Sequence, residues 1–450
     1  MPHLIIVGGS DAGISAALRA REVAPGWGVT VLAADSLPNY SVCGLPFYLS
    51  GEVPDRRSLA HRTVEDLERA GLDLLLDHTV RSLDLSNRSV TSTFNPGGER
   101  VLRYDRLVIA TGAAPVRPPI PGLDLDGVHA LHTPADAFRL HQQLVTAAPR
   151  SAVVVGSGYI GTEMADALTV RGLQVTLIGR SPSVLPTLDP ELGVLLAAEL
   201  ERHGVEVLSG VAVEAIKPEG GRLLVQGGDL TRSADLVLVA AGVRPQAELA
   251  VAAGLPLGVR GAIRVDRQMA TEVPGVYAAG DCVETWHRLL ERPAYLPLGT
   301  TAHKQGRVAG ENAVGGRRAF AGSVGTQVVK VFELVAARSG LRDQEARDAG
   351  FDPITKETTT WDHTPYYPDP RRLHVRVTGD RKTGRLLGAQ IVGPWRAEVA
   401  KRIDVFATAL YSGLSVDEVS DLDLSYTPPV GRPWDAVQDA AHEWESRRVG

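Results

Sequence analysis

Two glycine-rich segments and one cysteine hold most of the chemistry this sequence offers. Gly156-Ser157-Gly158-Tyr159-Ile160-Gly161 is a complete G-x-G-x-x-G pattern, and Gly8-Gly9-Ser10-Asp11-Ala12-Gly13 is a less regular one with Ser10 at the middle glycine position. Glycines so spaced let a backbone approach a pyrophosphate, whose charge then lies against the N-terminus of the helix that follows. Cys43 stands in Asn39-Tyr40-Ser41-Val42-Cys43-Gly44-Leu45-Pro46. Its glycine and proline neighbours do not suit a core position, which makes it a redox candidate. Only one other cysteine occurs, Cys282. Two are too few for a disulfide scaffold, and Cys282 reads as a small packed residue without a redox role.

The elements around these residues give the glycines their meaning, since the pattern speaks for a dinucleotide only between a strand and a helix. Leu4 to Val7 reads as a buried strand, Ile14 to Val23 as a helix and Val29 to Leu32 as a second strand. Ala152 to Val155, an Ala/Leu-rich helix and Val175 to Ile178 repeat that order. Two such units imply two dinucleotides. Leu107 to Ala110 runs into Thr111-Gly112, and the Pro-rich stretch Ala113 to Pro121 reads as a domain crossing. Ala234 to Ala241 with Gly242 repeats the strand-and-glycine pattern, and Arg244-Pro245 marks the return. Val276 to Asp281 reads as a strand ending in an acidic loop. Beyond Ser323, strand-like Val328 to Phe332, Leu373 to Thr378 and Leu386 to Val392 precede helical Ala397 to Ser412 and Val416 to Leu422, a separate α+β domain.

The ends of the second strands bear on which dinucleotide each unit takes. In the first unit Ala33 stands where an acid usually holds ribose hydroxyls, and Asp35 either compensates or is a solvated loop carboxylate. In the second, Gly179-Arg180-Ser181 offers no such acid. Arg180 is either an ordinary exposed arginine or a partner for a 2′-phosphate, which favours NADPH and leaves NADH possible.

Composition narrows the class. The chain has 450 residues, 44% of them hydrophobic, and a formal net charge of -6. That suffices for two or three folded domains, and no Lys/Arg run suggests nucleic acid or a membrane surface. No apolar stretch reaches the roughly 18 residues of a span, and Leu4 to Val7 already belongs to the fold, so no secretory leader is expected. The expectation is a cytoplasmic protein that engages neither nucleic acid nor membrane and calls for no metal.

In these motifs the chain resembles the flavin-dependent pyridine nucleotide-disulfide oxidoreductases, in particular their single-cysteine group of coenzyme A-disulfide reductases, NADH oxidases and NADH peroxidases. Besides both loops the resemblance includes Thr111-Gly112, Ala278-Ala279-Gly280-Asp281, His303-Lys304-Gln305-Gly306-Arg307 and Lys401-Arg402-Ile403-Asp404. It implies an α/β fold with two Rossmann-like domains, for FAD and NAD(P), and a C-terminal α+β dimerisation domain. The corresponding limits are 1–112 with 246–322, 113–245, and 323–450. Gly8, Gly13, Thr111, Gly112, Gly280 and Asp281 would then hold FAD. Gly156, Gly158, Gly161 and Arg180 would hold the nicotinamide dinucleotide, with Tyr159 gating its pocket and Glu163 near the flavin ring. Paired-cysteine members carry C-x-x-x-x-C, but Pro38 and Tyr48 flank Cys43 at that spacing. The resemblance therefore implies that electrons pass from the nicotinamide through FAD to an oxidised Cys43: a mixed disulfide, persulfide or sulfenic acid.

The same resemblance implies a homodimer in which Tyr426 and one of Tyr366/Tyr367 serve the other subunit's cysteine. Family oxidases and peroxidases carry a catalytic histidine where this chain has Asp11, which disfavours oxygen or peroxide as acceptor. The family's coenzyme A site uses polar and basic residues where this chain has Glu22, Val42, Gly71 and Trp434; Arg19 and Arg21 either substitute or are solvated helix charges. The expected substrate is thus a small disulfide or persulfide that need not contain coenzyme A. An NAD(P)H oxidase or peroxidase cycling Cys43 through sulfenic acid, and a non-catalytic flavin redox sensor, are the alternatives.

Overall fold

The structure, a computed structural model, describes residues 1–94 and 97–449. Its first sheet is parallel throughout, in the order Val276–Ala278, Arg106–Ile109, His3–Val7, Gly28–Leu32, Asp73–Leu75. Strands covered on both faces need apolar residues on both, and Leu4, Ile5 and Ile6 are all fully buried. The helices Asp11–Val23 and Gly299–Ala313 lie against each other on one face. Their approach is set by Gly306 and Gly310, where an added Cβ would fall 2.2 Å from the Ala12 oxygen and 2.1 Å from that of Ala16.

The second sheet repeats the plan. Its parallel order is Glu206–Ser209, Gln174–Gly179, Ser151–Val155, Leu236–Val239, Val128–Ala130. Each unit also carries a three-stranded antiparallel meander, His78–Arg103 in the first and Ala215–Ala234 in the second. The two chain crossings expected near Ala113 and Pro245 lie side by side as an antiparallel ribbon, Ala113–Pro115 against Val243–Pro245.

The C-terminal part is an antiparallel sheet in the order Gln327–Val331, Leu334–Gly340, Leu386–Pro394, Arg372–Asp380, Pro353–Trp361. Helices Val399–Ser412 and Ala436–Val449 contact it, contributing the fully buried Phe406 and Trp444. Gly379 leaves room for the indole, since a Cβ there would sit 2.5 Å from the Trp444 ring.

Several element limits differ from the sequence reading for local reasons. The first helix starts at Asp11, three residues earlier than its apolar pattern. Phe332 turns the chain with φ +49 and is not part of the preceding strand. Ala234 closes the second meander, and the parallel strand begins only at Leu236.

Candidate active site

Both glycine loops have the geometry an anion needs. Gly8 and Gly156 take φ of +121 and +117, and each is followed by a helix whose N-cap, Ser10 or Gly158, makes no side-chain cap bond. The N–H groups of those first turns are left for another acceptor. A Cβ on Gly13 would lie 1.9 Å from the Gly8 oxygen, and one on Gly161 1.7 Å from the Gly156 oxygen, so each helix packs onto its own loop. Gly158 has open space beside its Cα. In the first unit Ala33 has a packing reason: a Cβ on Gly9 would meet its methyl at 2.6 Å. Asp35 is exposed just beyond and accepts from the Leu37 N–H at 3.0 Å. Arg180, at the end of Gln174–Gly179, is exposed.

Gly280, with φ +88, brings the acidic loop against the first helix; a Cβ there would lie 2.7 Å from the Ala12 methyl. The buried Gln305 side chain accepts from the Gly280 N–H at 3.0 Å and donates to Thr285 Oγ1 at 3.1 Å. Asp281 is thereby held in a dense environment facing Asp11, and burial first, that like charge second, push its carboxyl up to about 6. Hydroxyl donors of a bound sugar chain would suit so hidden a carboxyl. Thr111 Oγ1 donates to the Gln246 oxygen at 2.6 Å, and Gln246 N–H to the Gly112 oxygen at 3.0 Å. These two residues also brace the return crossing.

Cys43 is set beside this first loop by backbone hydrogen bonds. Asn39 N–H reaches the Gly9 oxygen at 2.8 Å, and Ser41 N–H the Leu59 oxygen at 2.8 Å. The thiol is open to solvent, yet dense protein around it pushes its pKa up, and the carboxylates of Glu163, Asp11 and Asp281 add to that. The structure thus gathers the cysteine, one residue of the second unit and two of the first. Cys282 is fully buried, its sulfur 3.4 Å from the Ala279 oxygen.

Tyr159 and Glu163 lie one turn apart on the helix Tyr159–Val170. Tyr159 donates to Gln327 Oε1 at 2.5 Å. Glu163 borders a narrow cleft with Pro46, Phe47, Glu52, Asp166 and Lys330. Burial, then Asp166, push its carboxyl up to about 7. Lys330, 3.6 Å from Glu52 and 3.9 Å from Asp166, escaped the sequence reading because no local pattern links it to Glu163.

The tyrosine-bearing loops lie together on the C-terminal part. Thr364 Oγ1 donates to the Pro428 oxygen at 3.0 Å and Thr364 N–H to that of Gly431 at 3.2 Å. Tyr366 lies near enough to Tyr426 to raise the latter's pKa, whereas Tyr367 turns its ring edge-on to His363. Tyr366 is 76% and Tyr426 44% exposed, and neither is among the groups acting on Cys43 of the same chain.

Arg19 and Arg21 are engaged elsewhere. Arg19 binds Glu22 at 2.9 Å and Glu311 at 2.6 Å, while Arg21 donates to the carbonyls of Pro25 and Trp27. Asp11 faces His303 at 3.4 Å, and His303 in turn bonds Ser15 at 2.8 Å.

Comparison with known proteins finds relatives over nearly the whole chain. Residues 2–306 match the family model described as pyridine nucleotide-disulphide oxidoreductase, and 326–436 match that family's dimerisation domain. An NAD(P)H sulfur oxidoreductase (CoA-dependent) of Pyrococcus furiosus is 34% identical, covering 96% of this chain and 97% of its own. A coenzyme A disulfide reductase of Staphylococcus haemolyticus is 28% identical, with 97% and 98% covered. The solved NAD-dependent persulfide reductase of A. fulgidus superposes with TM-score 0.95 at 37% identity, over 100% of this chain and 84% of its own.

Proposed function

The chain belongs to the pyridine nucleotide-disulphide oxidoreductase family, and from that premise we propose that it is an FAD-containing, NADPH-dependent reductase of disulfide or persulfide sulfur acting through Cys43 alone. The observation that carries this reading is the lone solvent-open thiol beside the first glycine loop, with the only other cysteine buried. FAD, when bound, supplies a two-electron carrier between the nicotinamide and that thiol.

In this reading residues 1–112 with 246–322 form the FAD domain, 113–245 the NAD(P)H domain and 323–450 the dimerisation domain, whose last residue, Gly450, lies outside the described residues. Gly8 and Gly13 shape the loop for the FAD pyrophosphate, Gly280 and Asp281 take its sugar chain, and Thr111 and Gly112 border it. Gly156, Gly158 and Gly161 would do the same for the nicotinamide dinucleotide, Arg180 would pair with a 2′-phosphate, Tyr159 would gate that pocket and Glu163 would lie near the flavin ring. NADH remains a weaker donor.

The Cys43 thiolate, left by reductive cleavage in the preceding turnover, attacks one sulfur of R–S–S–R. The S–S bond breaks, a Cys43–S–S–R bond forms, and the departing thiolate takes a proton from the Tyr366–Tyr426 pair of a second copy. Two electrons from NADPH then cleave the mixed disulfide and restore Cys43. Arg19 is neutralised by Glu22 and Glu311, so phosphates gain no free cation from it, and Arg21 is turned to the Pro25 and Trp27 carbonyls. Pantethine, which keeps coenzyme A's thiol arm without its nucleotide, should therefore be turned over at least as fast as coenzyme A disulfide.

The test follows NADPH oxidation and thiol release together under argon, then in air without disulfide. Two thiols per NADPH, abolished by Cys43→Ser, support the proposal. Equal NADPH oxidation in air with no disulfide present would hand the protein to the oxidase reading.

A further inference from the structure

One face of the helix Tyr159–Val170 meets one strand of the C-terminal part. Tyr159, Glu163 and Asp166 fall at i, i+4 and i+7, which puts them on that face together. Opposite them runs the strand Gln327–Val331, with Phe332 after it. At the far end the buried Asp166 accepts the Phe332 N–H at 2.8 Å, and Lys330 lies 3.9 Å from the same carboxylate. At the near end the Tyr159 hydroxyl donates to Gln327 Oε1 at 2.5 Å. Thr187 also stands beside the phenol, but its hydroxyl makes no hydrogen bond, which leaves Gln327 as the acceptor.

The two partners in that bond are held very differently. Gln327 pairs in register with Arg338, and Arg338 is itself tied to the Thr187 oxygen at 2.8 Å and to Glu345 at 2.5 Å. The strand is therefore fixed against the second dinucleotide unit. The Tyr159 ring is only partly buried, and this one hydrogen bond fastens its outer end. That ring also stands on a route. A dinucleotide held by Gly156, Gly158 and Gly161 has its pyrophosphate at the start of this helix, where Tyr159 is the first residue. One turn further along the same face stands Glu163, the charge that acts most on Cys43. A nicotinamide reaching from the loop toward the cysteine must pass the place that Tyr159 fills.

We propose that Gln327 is a positioning residue for hydride delivery: by accepting the Tyr159 hydroxyl it holds the ring across the nicotinamide's path and so sets how tightly the dinucleotide binds. The inference rests on the proposed function, in which Tyr159 gates the pocket, and adds the residue of the C-terminal part that keeps the gate shut. Entry of the nicotinamide breaks the Tyr159–Gln327 bond and turns the ring aside. The apparent Kd is then the intrinsic Kd divided by the fraction of molecules whose ring is already turned aside. Removing the acceptor raises that fraction. A neutral hydrogen bond has a net worth of about fivefold in an equilibrium constant, and that is the gain in affinity expected. A ligand without a nicotinamide leaves the ring where it is and gains nothing.

The experiment titrates flavin-loaded wild type, Gln327→Leu, Tyr159→Phe and the double variant by calorimetry. One ligand is NADP+, which cannot reduce the flavin; the other is adenosine 2′,5′-bisphosphate, which fills the phosphate end alone. Flavin content and thermal melts report whether each variant is intact. The NADP+ Kd should fall about fivefold in either single variant and no further in the double variant, because both remove the same bond. The bisphosphate should bind all of them equally, and the limiting rate of flavin reduction by NADPH should be unchanged in Gln327→Leu. An NADP+ affinity in Gln327→Leu no better than wild type overturns the proposal, as do gains that multiply in the double variant or appear equally with the bisphosphate. If the wild type binds neither NADP+ nor NAD+, the proposed function fails. Fluorine NMR of a fluorotyrosine placed at position 159 then decides the bridge separately: a resonance that Gln327→Leu leaves unmoved shows that Gln327 does not hold the ring.

Discussion

Glu163 shows how one side chain can be chosen from sequence while its behaviour is not. Its selection comes with the family resemblance, but its partly hidden carboxyl owes its elevation to about 7 to burial and to Asp166. A carboxyl raised in the folded state favours its neutral form, so the stability it lends is complete below about pH 4.5 and is lost as pH rises through about 7. Glu163→Gln removes that loss, so its gain is largest above neutrality: about 1–3 kcal/mol at pH 8 and near zero at pH 4.5. Thermal melts of both proteins at the two pH values check this; an equal difference at both would show that Glu163 is not the titrating group. Tyr366 and Tyr367 present the opposite case. Their sequence neighbourhood is symmetric between them, and only the fold places one near Tyr426 and the other against His363.

At the scale of elements, the two glycine loops were legible because a steric requirement leaves few residue choices. Gly13 and Gly161 each stand where a Cβ would overlap a backbone oxygen. Substituting either by alanine must displace its helix start, and each should disable one dinucleotide only. Gly13→Ala is expected to purify with little flavin. Gly161→Ala should keep its flavin spectrum while its apparent Kd for NADPH rises at least about tenfold, the loss of a charge-assisted contact or two. Loss of flavin from Gly161→Ala would mean that the assignment of loops to cofactors is wrong. Both meanders were missed, and so were the strands Leu334–Gly340 and Pro353–Trp361 and the final helix. His78–Asp84 exposes residues on both faces and buries only Leu83, so it offers no period-two signal. The helix Ala436–Val449 buries a stripe of alanines with Val437 and Trp444, too weakly apolar to stand out beside its charges.

On the scale of the whole molecule, the second dinucleotide unit is fastened to the C-terminal sheet of its own chain. Asp189 N–H donates to Gln390 Oε1 at 2.7 Å, and Arg376 reaches Asp189 at 3.1 Å. Arg338 donates to the Thr187 oxygen at 2.8 Å, and Phe332 N–H to Asp166 at 2.8 Å. Tyr366 and Tyr426 are exposed, and a chain that carries the family's dimerisation domain would offer them to a second copy. Co-expressing Cys43→Ser with a Tyr366→Phe/Tyr426→Phe chain tests that arrangement. Hybrid dimers contain one complete site if the tyrosines act across the interface and none if they act within a chain. Recovered turnover near half of wild type in purified hybrids is expected, and turnover no better than the two parents would place the tyrosines in the wrong subunit.

In the proposed reaction a single thiol and the flavin share electrons from NADPH. Anaerobic NADPH titration of the flavin-loaded protein and its Cys43→Ser variant, following the flavin spectrum, counts those electrons. Wild type should consume one two-electron equivalent more than the variant before its flavin is fully reduced, with a long-wavelength band after the first equivalent that the variant lacks. Equal consumption, with no such band in either protein, would contradict the account and leave Cys43 outside the redox cycle.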